Sequence, residues 1–279
     1  MEERVMYVGN LTAFEAYLRD DEKSIHTVEK YLRDVRTFCE FAGRETVTKE
    51  TVLRFREHLV STGYTSESVN SMLASVNSLL KFLGWEDCRV RYLRTQRKMY
   101  CPEEKELTKA EYLRLLEAAR QKPRLFLVLE TICATGIRIS ELRYFTVEAV
   151  NSGEITVKCK NKTRSILVPG KLRKKLMAYT KKNHIGSGVI FRTRSGRPVD
   201  RSNIWAEMKK LCAAAHVQES KVFPHNLRKL FARTFHKTEK DIAKLADVLG
   251  HSNINTTRIY IMTTSLEHRR CIERLGLVV

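Results

Sequence analysis

Three short segments of this chain concentrate side chains that handle anions and protons. In Thr135-Gly136-Ile137-Arg138-Ile139-Ser140-Glu141-Leu142, Arg138 sits just past a helix-stopping glycine, at the head of a further helix. Glu141 is three residues on, within pairing distance. In His225-Asn226-Leu227-Arg228, which follows Pro224 at a helix start, the i, i+3 spacing turns His225 and Arg228 to one side. Leu249-Gly250-His251-Ser252-Asn253-Ile254-Asn255-Thr256-Thr257-Arg258-Ile259-Tyr260 adds an imidazole and a phenol nine residues apart. Guanidinium groups grip oxyanions through paired N–H donors, imidazoles carry protons near neutral pH, and phenols can act as nucleophiles. Taken singly, each residue also has a commonplace use: an intrahelical Arg138–Glu141 ion pair, a capping His225, a helix-end His251, a core Tyr260. Their joint order and spacing is what singles them out.

The elements that must position these residues are mostly helical. Leu11, Phe14 and Leu18 suggest one amphipathic helix. Ser24 caps a second, striped by Val28, Tyr31, Leu32, Val35, Phe38 and Cys39. Thr48 caps a third, stopped by Gly63, and Thr65 or Ser66 opens a fourth, closed by Gly84. Residues 89–100 then carry five basic side chains and no acidic one, and Pro102 follows, as in an interdomain linker. A second domain begins at Leu107, where Thr108 and Glu111 form a capping box. Helices are expected over 125–134 and, shorter, around Ile139, Leu142 and Phe145. Residues 154–160 alternate with period two, 161–164 make a turn, and 165–168 form the return strand. Helices resume over 172–180, 202–215, 224–235, 238–249 and 256–262, with an amphipathic tail over 266–275. The expected fold is mainly α with a small β component (α+β). It comprises a helical N-terminal domain over 1–88, a basic linker over 89–106, and a helical domain with a β-hairpin over 107–279.

Lys and Arg number 51 against 32 Asp and Glu, a formal charge of +19 in 279 residues. Such an excess points to a polyanionic partner, nucleic acid before membrane surface, because no helix pairs a strongly basic face with an aromatic one. No apolar run approaches the ~20 residues that span a bilayer, and no secretory leader follows Met1. The seven cysteines are scattered with no C-x-x-C pair, so neither a zinc site nor a redox motif is indicated. A reducing, cytoplasmic compartment is expected.

Together, the three segments resemble the tyrosine recombinases, or phage integrases, the group that includes the Xer proteins. Thr-Gly-Ile-Arg-Ile-Ser-Glu-Leu, His-x-x-Arg and Leu-Gly-His-Ser…Thr-Thr…Tyr occur in the family's order, with 23 positions from Arg228 to His251 and nine to Tyr260. The resemblance covers most of 107–265 and, more loosely, extends to the N-terminal helices, which resemble the family's core-binding (SAM-like) domain. It implies a site-specific DNA recombinase that works through a 3′-phosphotyrosine and a Holliday junction, with no metal and no ATP. It implies Tyr260 as nucleophile, Arg138 and Arg228 as phosphate clamp, His251 as a further phosphate donor, and His225 as acid–base group or phosphate ligand. The family's general acid is a lysine near a β-hairpin turn. Lys160 fits best, with Lys158 in reserve, but the small residue usual after this lysine is missing and the hairpin register stays open. Lys162 and Arg164, with Arg94, Arg97 and Lys98 of the linker, are expected on backbone phosphate. Lysine stands at 229 where many members have histidine, a substitution also found in the family. No arm-binding domain precedes the first helices, which implies a simple recombinase acting at short core sites with inverted repeats. The expected assembly is a homo-tetramer of C-shaped clamps on duplex DNA, with a C-terminal tail that docks on its own or a neighbouring protomer. The rivals are a type IB topoisomerase and a DNA-binding regulator with a relic active site.

Overall fold

The computed structural model describes residues 4–6, 8–95, 106–159, 162–262, 269–270 and 272–277. They form two compact units, Met1–Arg97 and Lys98–Val279.

The first unit is built from α1 (Val8–Asp20), α2 (Ile25–Ala42), α3 (Lys49–Ser61) and α4 (Ser66–Phe82). The starts of α2, α3 and α4 are set by Ser24, Thr48 and Thr65, whose hydroxyls accept the N–H of Thr27, Thr51 and Ser68. The inward stripes meet in a core where the Phe38 and Phe55 rings lie 5.2 Å apart, edge to face. Past a short 3₁₀ turn (Glu86–Cys88), the chain stays with this unit. Asn77 brackets Val90, donating to its carbonyl (2.9 Å) and accepting its N–H (3.1 Å). Asn70 does the same for Leu93, at 3.0 and 2.7 Å. These side-chain amides substitute for a β-ladder and hold the backbone to α4 as far as Leu93.

The second unit opens with α5 (Lys109–Ala118), whose Thr108–Glu111 capping box is formed as expected. Next comes α6 (Pro123–Thr135), buried along most of its length and packed against a later helix, α11 (Pro224–Glu239). A 3₁₀ segment (Ile139–Tyr144) and α7 (Val147–Ser152), capped by Thr146, lead to the sheet. Two antiparallel strands, β1 (Glu154–Cys159) and β2 (Lys162–Leu167), pair from Glu154↔Leu167 to Cys159↔Lys162. Lys162, Thr163 and Arg164, which the sequence reading placed in a turn over 161–164, are therefore paired strand residues.

Helices α8 (Gly170–Lys182), α9 (Arg201–Lys209) and α10 (Cys212–Ala215) follow. The expected continuous helix over 202–215 is broken because the Leu211 N–H bonds to the Met208 carbonyl, a tight turn that buries both side chains. α11 runs further than expected, to Glu239, where Lys240 turns left-handed (φ 55°). Asp241 then caps α12 (Ile242–Leu249) by accepting from Ala243 and Lys244. Asn253 caps α13 (Ile254–Tyr260), two residues ahead of the expected start. The main core of this unit lies between α5, α6, α8, α11 and the inner face of the sheet. A smaller cluster joins Ala232, Leu245, Leu249 and Tyr260. No helix among the described residues is long and apolar enough to cross a membrane.

Candidate active site

Arg138, His225, Arg228, His251 and Tyr260 come together where the 3₁₀ segment, the start of α11, the loop after α12 and the end of α13 converge. The backbone does the placing. α6 ends at Gly136 in the left-handed region (φ +63°), and a Cβ there would lie 2.3 Å from the Phe231 ring. Only glycine permits both the turn and the approach of α11. The Gly136 carbonyl in turn accepts a hydrogen bond from Arg228 Nη1.

Arg228 is 1% exposed, an exceptional setting for a guanidinium. Its Nη2 donates to the Leu249 carbonyl (2.8 Å) and stands 3.0 Å from His251 Nε2. Its Nε is buried with no hydrogen-bond partner. Burial, with the like charges of Arg138 and Arg164, pushes its pKa down to about 10 against the pull of Tyr260 and Glu141. It therefore remains a cation at neutral pH. The Arg228 guanidinium lies 5.7 Å from the centre of the Tyr260 ring.

Tyr260 is 8% exposed, and the rings of His225 and His251 each lie 5.0 Å from its own. Both imidazoles are pushed down to about 4. For His251 the cause is burial, then Arg228, Arg138, Arg164 and His225. For His225, which solvent reaches along one side, it is partial burial, then Lys229, Arg228 and Arg138. Both are neutral at pH 7. Arg138, His225 and Arg228 line one cleft of about 510 Å³, together with Arg201, Ser202 and Trp205.

The expected Arg138–Glu141 pair is present, but Glu141 does more than pair. Its carboxylate, 4% exposed, accepts the Arg138 N–H (2.7 Å), Arg138 Nη1 (3.2 Å) and Arg164 Nη2 (2.5 Å). Arg164 also donates through Nη1 to the Val248 carbonyl (2.6 Å). This corrects the expectation that Arg164 reaches backbone phosphate: its guanidinium is turned into the protein. Its place in β2 is the reason. Arg164 is a strand residue opposite Val157 and two before Ile166, both of them buried. Alternation therefore sends its side chain inward, and that period was the signal available in the sequence.

Thr257, 0% exposed, is the other residue that the sequence did not single out; its Oγ1 lies 2.9 Å from His251 Nδ1. Nothing distinguishes it from Thr256 except helical phase. Arg94 is exposed at the end of the bracketed segment. Lys160, Arg97 and Lys98 lie outside the described residues, as do the side chains of Lys158 and Lys162.

Two guanidinium groups, of Arg138 and Arg164, thus share the Glu141 carboxylate, and a third, of Arg228, is held by backbone carbonyls beside the Tyr260 ring. The excess positive charge suits a phosphate, and the phenol and neutral imidazoles suit attack on it and proton movement.

Comparison with known proteins agrees. Residues 105–266 match the phage integrase family, and residues 11–87 match the N-terminal SAM-like domain of phage integrases. The chain is 30% identical to the tyrosine recombinase XerA of Thermococcus kodakarensis, over 95% of this chain and 94% of that protein. In fold it is similar to a lambda integrase fragment (75-356) seen as a dimer bound to a COC′ core site (TM-score 0.74, 16% identity, 91% of this chain and 95% of that one). It is likewise similar to a lambda integrase tetramer bound to a Holliday junction (TM-score 0.74, 16% identity, 93% and 78%). The chain belongs to the phage integrase family, the tyrosine-type site-specific DNA recombinases.

Proposed function

We propose that the chain cuts and rejoins duplex DNA at specific sites by transesterification through Tyr260. The phenol oxygen attacks the scissile phosphorus, a 3′-phosphotyrosine forms, and the bond to the 5′ oxygen breaks. That oxygen leaves as a hydroxyl once it has gained a proton. Lys160 is assigned as its donor, with Lys158 in reserve. Arg138 and Arg228 hold the non-bridging oxygens, whose charge grows in the transition state. His251 supplies a further hydrogen bond, and His225 assists as acid–base group or phosphate ligand. The ester keeps the bond energy, so a 5′-hydroxyl can reverse the attack without ATP.

The observation that carries this reading is the convergence on Tyr260: two imidazole rings at 5.0 Å and a buried guanidinium at 5.7 Å. The DNA partner is a pair of core sites built as inverted repeats. Four protomers bring two such sites together and pass through a Holliday junction, with integration, excision, inversion or resolution as the outcome. The C-terminal tail docks on its own protomer or on a neighbouring one. Arg94, Arg97, Lys98, Lys158 and Lys162 supply sequence-independent grip on the backbone.

Nicked duplexes made from inverted repeats flanking the gene test the assignment. The unmodified chain should yield a covalent DNA–protein adduct on a denaturing gel. Tyr260→Phe should bind the same duplex and yield none, and an adduct that survives this change overturns the proposal.

A further inference from the structure

Of the two imidazoles beside Tyr260, His251 has both ring nitrogens engaged, and its two partners differ in kind. Nε2 lies 3.0 Å from Arg228 Nη2, and Nδ1 lies 2.9 Å from Thr257 Oγ1. A guanidinium nitrogen only donates; a hydroxyl can donate or accept. The contact with Arg228 therefore requires the lone pair of His251 on Nε2, which leaves the proton of the neutral ring on Nδ1, donated to Thr257 Oγ1. The opposite tautomer would set two N–H groups against each other. The charged and titratable groups that face the ring, Arg228 and His225 from α11, Arg138 just ahead of the 3₁₀ segment and Arg164 from β2, keep it neutral, and Tyr260 and Thr257 face it from α13. Thr257 has no solvent access, so no water competes for its hydroxyl.

We propose that Thr257 is a positioning residue that fixes the tautomer of His251, so that Nε2 enters the reaction as an acceptor and takes the proton of the Tyr260 phenol. The inference rests on the transesterification reading and adds an order of events to it. An incoming phosphate oxygen draws the Arg228 donors to itself and frees the Nε2 lone pair of a ring whose centre lies 5.0 Å from that of Tyr260. As the Tyr260 oxygen–phosphorus bond forms and the bond to the 5′ oxygen breaks, the phenol proton moves to Nε2. The resulting imidazolium then donates that N–H to a non-bridging oxygen, and returns the proton to the phenol on rejoining. His251 is thus acceptor first and phosphate donor second, and the Thr257 hydroxyl sets that order.

Two substitutions separate this role from packing. Thr257→Val keeps the shape and removes the acceptor; Thr257→Ser keeps the acceptor and removes a methyl group. Two-bond ¹H–¹⁵N spectra of the full chain at pH 7, without DNA, should show His251 protonated at Nδ1 in the unmodified chain and in Thr257→Ser. That preference should be lost in Thr257→Val. On the nicked inverted-repeat duplex, the rate of adduct formation should fall by about 10- to 100-fold in Thr257→Val, with a changed pH profile, and recover in Thr257→Ser. Protonation at Nε2 in the unmodified chain overturns the proposal, and does so even if Thr257→Val fails to fold. So does a Thr257→Val rate equal to that of the unmodified chain, or greater impairment in Thr257→Ser than in Thr257→Val. The absence of any adduct from the unmodified chain would sink the transesterification reading, while the spectra still decide the tautomer.

Discussion

A single methyl group at residue 250 should dismantle the link between the hairpin and the active site. Gly250 has φ +64°, and a Cβ on it would lie 2.5 Å from Arg164 Cδ and 3.2 Å from Arg164 Nε. Gly250→Ala therefore carries two penalties. The left-handed backbone costs an L-residue about 1–2 kcal/mol. The new Cβ also expels the Arg164 side chain, which breaks its bonds to Glu141 (2.5 Å) and to the Val248 carbonyl (2.6 Å). Bonds to charged groups contribute about 1.5–3 kcal/mol each, so the lower ends of both ranges together give a loss of about 4 kcal/mol. Arg164→Ala alone loses the same two bonds, about 3 kcal/mol. The double variant can lose them only once, so it should be less damaged than the two single effects combined, by about 3 kcal/mol. The chain has two tryptophans, Trp85 in the first unit and Trp205 in the second. In a Trp85→Phe background, urea unfolding followed by Trp205 fluorescence therefore reads the second unit by itself. Additivity of the two substitutions to within about 0.5 kcal/mol would refute the reasoning, because it would mean that Gly250 and Arg164 act independently.

The assignment of Arg164 to the interior also separates it from the linker in binding to a random-sequence duplex. Arg94→Gln should reduce the slope of log Kd against log salt concentration by about 1. Arg164→Gln should leave that slope unchanged, and a reduced one would restore Arg164 to the DNA surface. The neutral imidazoles predict the sign of a pH effect. His251 binds a proton near pH 6.5 when unfolded and near pH 4 when folded. The unfolded chain therefore holds more protons in that window. The His251 contribution to stability is complete above pH 6.5 and is lost as pH falls towards 4, and His225 acts in the same direction. The urea midpoint of the Trp205 transition should fall across this window in the unmodified chain and fall less steeply in His251→Gln; parallel curves would refute the assignment.

Much of the helical scaffold is legible in the sequence because its signals are local. Ser24, Thr48, Thr65 and Thr108 cap within three residues of themselves, and an apolar stripe needs only the helix on which it lies. What the sequence hides depends on partners far along the chain. The break after Lys209 exists because Met208 and Leu211 both reach the core, a demand set by distant helices. The extent of the return strand is obscured by a run of alternating lysines, which carries no apolar face to mark where the strand begins. Reading 161–164 as a turn put Arg164 at the surface, whereas the strand begins at Lys162 and sends Arg164 to the face of Ile166. The site shows the same division. Arg138, His225, Arg228, His251 and Tyr260, singled out by type, order and family resemblance, come together in the structure, whereas Glu141 as a three-donor hub and Thr257 as partner of His251 emerge only when separate segments meet.

The site is also arranged at odds with the stability of the DNA-free chain. Arg138, Arg164 and Arg228 gather around Glu141, which leaves two positive charges in excess, one of them on a residue 1% exposed. The lowered pKa of Arg228 measures that tension, since burial and like charges both act against its proton. Such a cluster persists because the backbone carbonyls of Gly136, Val248 and Leu249 absorb its donors. Those carbonyls lie at the ends of α6 and α12, where carbonyls have no intrahelical partner. Helix ends that would otherwise need water thus stabilise guanidinium groups that would otherwise repel. A phosphate entering the cleft offers the arginines better acceptors than these carbonyls. If Arg138 and Arg228 hold the scissile phosphate as proposed, the unmet charge of the DNA-free chain serves the step in which negative charge develops on the phosphate oxygens.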